Sequence, residues 1–192
     1  MSEAVFLPFD CESGGIGDDI SLLSAHFAAC DKDWKILDEL DLLIKPNETD
    51  ETGSTLYKVT ASALSINNID LISHDKVAMT YSQAGQVLRD FLIKNSQSGK
   101  IKLQPMGKNI GGDVRWINSH VLGKKTFNQY VSYRNYDITG VITFLKRTGR
   151  LENFAPESLE GLARYFDIEA RWHTARGDNH AGIEVMRRLE EL

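Results

Sequence analysis

The stretch Ala4-Val5-Phe6-Leu7-Pro8-Phe9-Asp10-Cys11-Glu12-Ser13-Gly14-Gly15 is an apolar run of strand length that ends in two acids and a glycine turn. Side chains alternate across a strand, so Asp10 and Glu12 share one face and Cys11 takes the other. Two carboxylates about 6 Å apart repel by on the order of 3 kcal/mol at an effective dielectric of 20. A bound divalent cation removes that cost, and so does solvation of an exposed strand end; the pair alone leaves both readings open. Oxygen donors suit Mg²⁺ or Mn²⁺, and the two cysteines, Cys11 and Cys30, lack the spacing of a zinc-thiolate site.

Two segments further along the chain add to the same chemistry. Ile101 to Met106 (IKLQPM) is predicted to be a second buried strand, followed by Gly107-Lys108-Asn109 and the run GGDVRWINSHVL at 111–122. In that run Val114, Ile117, Val121 and Leu122 recur at helical spacing, so Asp113 falls in a helix's first turn. The helix dipole favours a carboxylate there whether or not it binds anything. Near the end of the chain, His173 lies on a loop leading into a final helix whose core face is Ile183, Met186 and Leu189, and Asp178 follows five residues after the histidine. His26, His74, His120 and His180 read as ordinary polar contacts.

Taken together, Asp10-x-Glu12-Ser13-Gly14, Asn109-x-x-x-Asp113 and His173-x-Ala175-x-x-Asp178 resemble the three motifs of the DEDDh 3′→5′ exonucleases, the family of the DNA polymerase III epsilon subunit, ribonuclease T and oligoribonuclease. The resemblance runs from about residue 4 to 190 with motif order and spacing intact, and the histidine marks the histidine branch of the family. Three positions depart from the usual pattern: Gly112 replaces an aromatic, Lys108 stands where a histidine is common, and Ser13 stands for a threonine. The resemblance implies a ribonuclease H-like α/β fold with a central mixed sheet and flanking helices. It implies that Asp10, Glu12, Asp113 and Asp178 hold two Mg²⁺ or Mn²⁺ ions, roughly 3.5–4 Å apart as in two-metal sites generally, and that His173 is the general base. It also places Ser13, Gly14 and Gly15 as a floor under the terminal nucleotide, with Ser65, Ile66, Asn67 and Asn109 near the substrate. Ile16 is read either as a wedge against the last base or as a core residue.

Composition bounds the alternatives. At 192 residues, 42% hydrophobic and 26% charged, the chain is long enough for one substantial core, and a single exonuclease domain over 1–192 is expected. With no charged-then-apolar leader and no apolar stretch long enough to span a bilayer, a cytoplasmic protein with no membrane partner is expected. The net charge of −5 hides an asymmetry: residues 1–50 carry 12 acids and 3 bases, residues 100–150 carry 2 acids and 10 bases. Trp116, Phe127, Tyr130, Tyr133 and Tyr136 are interleaved with those bases, a pattern suited to single strands, although a solvated basic face over core aromatics has the same signature.

Further strands are predicted at Ile20–Ala29 and Lys35–Ile44, forming an antiparallel meander with the first, and at Ser132–Tyr136. Helices are predicted after a Thr60 cap, over Ser82–Lys94, over Ile138–Thr148 capped by Asp137, and from Pro156-Glu157-Ser158 through Tyr165. The expected activity is release of nucleoside 5′-monophosphates from the 3′ end of single-stranded DNA or RNA. A non-catalytic nucleic-acid-binding or polymerase-associated module, and a hydrolase of a small phosphodiester such as a dinucleotide, are the alternatives. Homodimerisation and association with a polymerase are left open.

Overall fold

The computed structural model describes residues 3–17 and 19–192. Strand β1 (Phe6–Ser13) is the hinge of the architecture. It pairs antiparallel with β2 (Leu22–Cys30), which pairs antiparallel with β3 (Ile36–Lys45), so the expected meander forms; β2 and β3 lie within two residues of their predicted bounds, whereas β1 runs on to Ser13, four residues past the apolar run 4–9. On its other edge β1 runs parallel to β5 (Gln104–Gly107), and β5 runs parallel to β6 (Tyr136–Asp137). A two-residue β4 (Met79–Thr80) completes the order β4-β3-β2-β1-β5-β6. The fold class is α/β, a ribonuclease H-like mixed sheet flanked by helices.

Both faces of the sheet are covered, which is why β2 is buried along nearly its whole length and shows no clean alternation. One face carries Leu7, Phe9, Leu22, Phe27 and Leu42 against Leu88 and Leu92 of α3 (Tyr81–Asn95). Each such leucine is fully buried and contributes about 1.5–3 kcal/mol. A Thr80–Gln83 capping box starts α3. The opposite face carries Ala28, Cys30 and Met106 against α6 (Ile138–Arg147), α7 (Leu159–Tyr165) and α8 (Ala175–Glu190). Asp137 caps α6 as the sequence predicts, and Ser158 caps α7, which begins at Leu159 and not at the expected Pro156.

Three expectations need correction. The Ile101–Met106 strand is only Gln104–Gly107, because the Ile101 N–H bonds back to Ser96 O in the turn that ends α3. Ser132–Tyr136 is not a strand: the Ser132 hydroxyl accepts the Arg134 N–H and turns the chain, leaving β6 to begin at Tyr136. The helix over 111–122 is divided into α4 (Gly111–Trp116) and a π-helical segment, Ile117–Val121. Two short helices lie within the β3–β4 connection: α1 (Ala61–Asn67), capped by Thr60 as expected, and α2 (Leu71–Val77), capped by Asp70. Helix α2 escaped the periodicity because it buries His74 and exposes Ile72 and Val77. A four-residue α5 (Lys124–Phe127) follows the π segment.

Candidate active site

Three elements bring the four predicted acids together. Strand β1 carries Asp10 and Glu12, α4 carries Asp113 in its first turn, and α8 carries Asp178 in its first turn. Carboxylate oxygens of Asp10, Glu12 and Asp178 all lie within 4.8 Å of one another. Asp113 stands outside that triplet; its Oδ1 accepts the Cys11 N–H at 3.1 Å, which ties the start of α4 to β1. The alternation of the strand is thus used on both sides, with Asp10 and Glu12 converging on Asp178 while the Cys11 backbone holds Asp113.

Helix α8 begins with a cap that also sets the histidine. Thr174 Oγ1 accepts the Gly177 N–H at 3.1 Å and donates to Arg171 O at 3.0 Å, closing a tight loop. His173 precedes this cap with φ +60°, a left-handed conformation that costs a non-glycine residue roughly 1–2 kcal/mol. Such strain collects at functional sites. The loop has no room at Gly177, where an added Cβ would lie 1.8 Å from Arg171 O. Gly177→Ala is therefore expected to push the His173 loop off α8, lowering Tm by several degrees and any hydrolytic rate by about tenfold or more. Thermal unfolding and a rate measurement on the same preparation check this.

Electrostatics mark the cluster as a place for cations. Burial first, then the charges of Asp113, Glu12 and Asp178, hold the Asp10 carboxyl well above the usual range. Burial, then Asp178 and Asp113, push Glu12 up to about 7. Burial raises Asp113 to about 7, partly offset by backbone N–H groups including that of Cys11. Asp178 is raised by burial, while the charge and backbone N–H of His173 pull it back. Asp178 Oδ1 is a buried acceptor with no hydrogen-bond donor among the described residues. Four crowded oxygen donors, one of them unsatisfied, fit hard divalent cations of the Mg²⁺ or Mn²⁺ kind.

The raised values have a definite sign in stability. Glu12 and Asp113 bind protons more tightly in the folded chain, near 7, than in the unfolded chain, at 4.5 and 3.8. The metal-free protein keeps this contribution in full below about pH 4 and loses it as the pH rises through about 7. Its Tm is expected to fall by about 5 °C or more between pH 5 and pH 8. Millimolar Mg²⁺ or Mn²⁺ reverses the fall at pH 8, and scanning calorimetry with and without chelator reads both effects.

The other predicted site residues fall in two groups. Glu12, Asn67 and His173 line one cleft of about 210 Å³. Asn67 donates to Ser13 O at 3.0 Å and the Thr60 N–H to Gly14 O at 2.7 Å, so α1 lies against the β1–β2 turn. Gly14 permits this approach, since a Cβ there would meet Val59 Cγ1 at 2.4 Å. Ser65 and Ile66 are exposed on α1, and Ile16 is fully exposed at the turn, which removes its reading as a core residue. Asn109 belongs to the second group: its Oδ1 accepts from Thr139 at 2.9 Å and its N–H donates to Asp137, so its side chain is engaged in joining α4 to α6.

The basic, aromatic segment does not form one face. Phe127 and Tyr130 are core residues, Tyr136 stacks in a cluster with Phe6 and Trp34, and Trp116 stacks on His120. Lys146 is committed to Ala155 O and Glu157. Tyr133 is exposed, with Arg134 over its ring, and lines a cleft of about 510 Å³ with Arg115, Asn118 and Lys124.

No protein-family model matches this sequence, and no curated protein matches it. Solved structures do. An E. coli exonuclease I in complex with a dT13 oligonucleotide superposes with a TM-score of 0.79 at 14% identity, over 98% of this chain and 41% of that one. The chain has the fold of exonuclease I. A product-bound exonuclease I gives 0.73 at 14% identity, over 98% and 45% of the two chains. The zinc-bound form of the E. coli exonuclease I–ssDNA complex gives 0.71 at 14% identity, over 98% and 41%. This chain thus spans less than half the length of the exonuclease I structures it matches.

Proposed function

We propose that the chain is a metal-dependent 3′→5′ exonuclease of the DEDDh type that releases nucleoside 5′-monophosphates from single-stranded nucleic acid. The observation that carries this reading is the convergence of Asp10, Glu12 and Asp178 within 4.8 Å, with Asp178 Oδ1 buried and unsatisfied. A fold shared with an enzyme solved on dT13 supports single-stranded DNA as the substrate class. A module that only bound nucleic acid would have no use for a buried carboxylate cluster that destabilises it at neutral pH.

Asp10, Glu12, Asp113 and Asp178 would hold the cations. When bound, divalent cations there would favour deprotonation of the attacking water and stabilise charge on the leaving 3′ oxygen. His173, exposed on the loop two residues before α8, accepts the water's proton. The turn Ser13-Gly14-Gly15 supports the terminal sugar and phosphate, Ile16 presents an apolar side chain to the last base, and Ser65, Ile66 and Asn67 close the far wall. Asn109 acts from behind, holding α4 and hence Asp113 in place. The strand upstream of the scissile bond crosses the cleft of Lys124, Arg115 and Tyr133.

Reversing charge at the exposed pair Lys124 and Lys125, both to Glu, is expected to weaken binding of a ten-nucleotide strand by about tenfold at low salt. The slope of log affinity against log salt should fall by about 1.4, while dinucleotide binding stays unchanged. The reading as a whole is tested by incubating chelator-treated protein and single-stranded DNA with and without Mn²⁺ and identifying the products by chromatography. Nucleoside 5′-monophosphates that appear only with the metal support it; metal-replete protein that leaves the DNA intact removes it.

A further inference from the structure

Behind the carboxylate cluster, a second group of metal-ligating side chains is assembled from three elements. His26 lies on β2, Glu39 on β3 and His180 on α8. Glu39 Oε1 is 3.2 Å from His26 Nε2 and 2.5 Å from His180 Nε2, and the three atoms all lie within 4.8 Å of one another. The two imidazole rings meet edge to face, centroids 5.2 Å apart. His26 is completely buried, and its Nε2 has no hydrogen-bond partner among the described residues. We propose that His26, Glu39 and His180 form a binding site for a borderline dication of the Zn²⁺ class, separate from the all-oxygen Asp10 cluster.

The donor set decides the class of ion. Two imidazole nitrogens and one carboxylate oxygen suit Zn²⁺ or Co²⁺ and are poor ligands for Mg²⁺. Bonds of about 2.0–2.1 Å in a tetrahedron put ligand atoms about 3.3 Å apart. The His26–Glu39 separation already has that value, and the Glu39–His180 contact opens by under about 1 Å when the ion replaces the proton between them. Burial lowers His26 to about 4, so its ring is neutral at physiological pH.

The surroundings support the same arrangement. Arg176 sits 3.6 Å from Glu39 Oε2 and pairs with Asp41, leaving Oε1 turned to the histidines. Asn179 donates to His26 Nδ1 at 2.9 Å. The same Nδ2 donates to Pro8 O at 3.1 Å and to His26 O at 3.3 Å, so coordination through Nε2, which moves the ring proton to Nδ1, gives up the Asn179–His26 Nδ1 bond and leaves the amide on the two carbonyls. A cleft of about 460 Å³, lined by Asp41, Arg176, His180 and Ala181, gives the ion a path from solvent. The site ties β2 and β3 to α8 beside Asp178, so an ion there stabilises the helix that carries the fourth acid.

Titration of the full chain with Co²⁺ in saturating Mg²⁺ tests the proposal. One equivalent is expected to bind with the visible absorption of nitrogen-ligated, four-coordinate cobalt, and Zn²⁺ is expected to displace it. Asp10→Ala, which dismantles the carboxylate cluster, should retain this signal. His180→Ala and Glu39→Gln should weaken it by at least about tenfold. His180 is partly exposed, so its truncation is compatible with folding, which a thermal melt of the metal-free variant verifies. Absence of uptake by the native chain, an unchanged signal in folded His180→Ala, or loss of the signal in Asp10→Ala would each overturn the site.

Discussion

Asp113→Asn is expected to abolish turnover, by on the order of 10³-fold or more, while leaving the protein folded and, without metal, more stable than the native chain. Asparagine keeps an oxygen where Asp113 Oδ1 accepts the Cys11 N–H, so the link between α4 and β1 survives. What is lost is a negative charge that burial and neighbouring acids already penalise, pushing the carboxyl up to about 7. On the proposed reading, bound cations would repay that charge in the native chain. A 10³-fold loss corresponds to about 4 kcal/mol of transition-state stabilisation, within the range a metal ligand supplies. Steady-state rates beside thermal melts at pH 8 read both arms. Activity within tenfold of native would remove Asp113 from the metal site.

Replacing His173 is expected to cost about 10²–10⁴-fold in rate with cation affinity retained. The left-handed backbone, φ +60°, dictates the variant: asparagine tolerates that region far better than alanine, so His173→Asn removes the imidazole without releasing the loop. Because the His173 backbone N–H and charge also act on Asp178, calorimetry of Mn²⁺ binding separates the two roles. A slow enzyme with native Mn²⁺ affinity supports a proton acceptor; weak Mn²⁺ binding with a proportionate loss of rate would make His173 a support for Asp178 instead.

The parts legible in the sequence are those whose physics is local. Strand β1 announced itself through an apolar run ended by two acids and glycines, and the caps Thr60, Asp137 and Ser158 sit where a hydroxyl or carboxylate precedes a helical pattern. The acids Asp10, Glu12 and Asp178 were recoverable because motif spacing encodes which turn of which element carries them. Less legible was anything decided by packing between elements. Nothing in GGDVRWINSHVL signals the π segment at Ile117–Val121. Phe127, Tyr130 and Tyr133 look alike along the chain, yet the first two fill the core and the third faces solvent. His26 and His180 read as ordinary polar contacts in the sequence because the group they form with Glu39 is spread over three elements, with 141 positions separating Glu39 from His180.

The central claim is that the cluster on β1 and α8 cuts a nucleic acid from its 3′ end. The direct measurement is to incubate the purified protein with Mg²⁺ or Mn²⁺ and 5′-labelled single-stranded DNA and RNA of equal sequence, following the product ladder beside an Asp10→Ala control. A ladder that shortens one nucleotide at a time from the 3′ end, absent from the control, is the expected result, and the faster strand identifies the preferred sugar. Intact DNA and RNA under both metals, or a ladder equally strong in the Asp10→Ala control, would contradict the account.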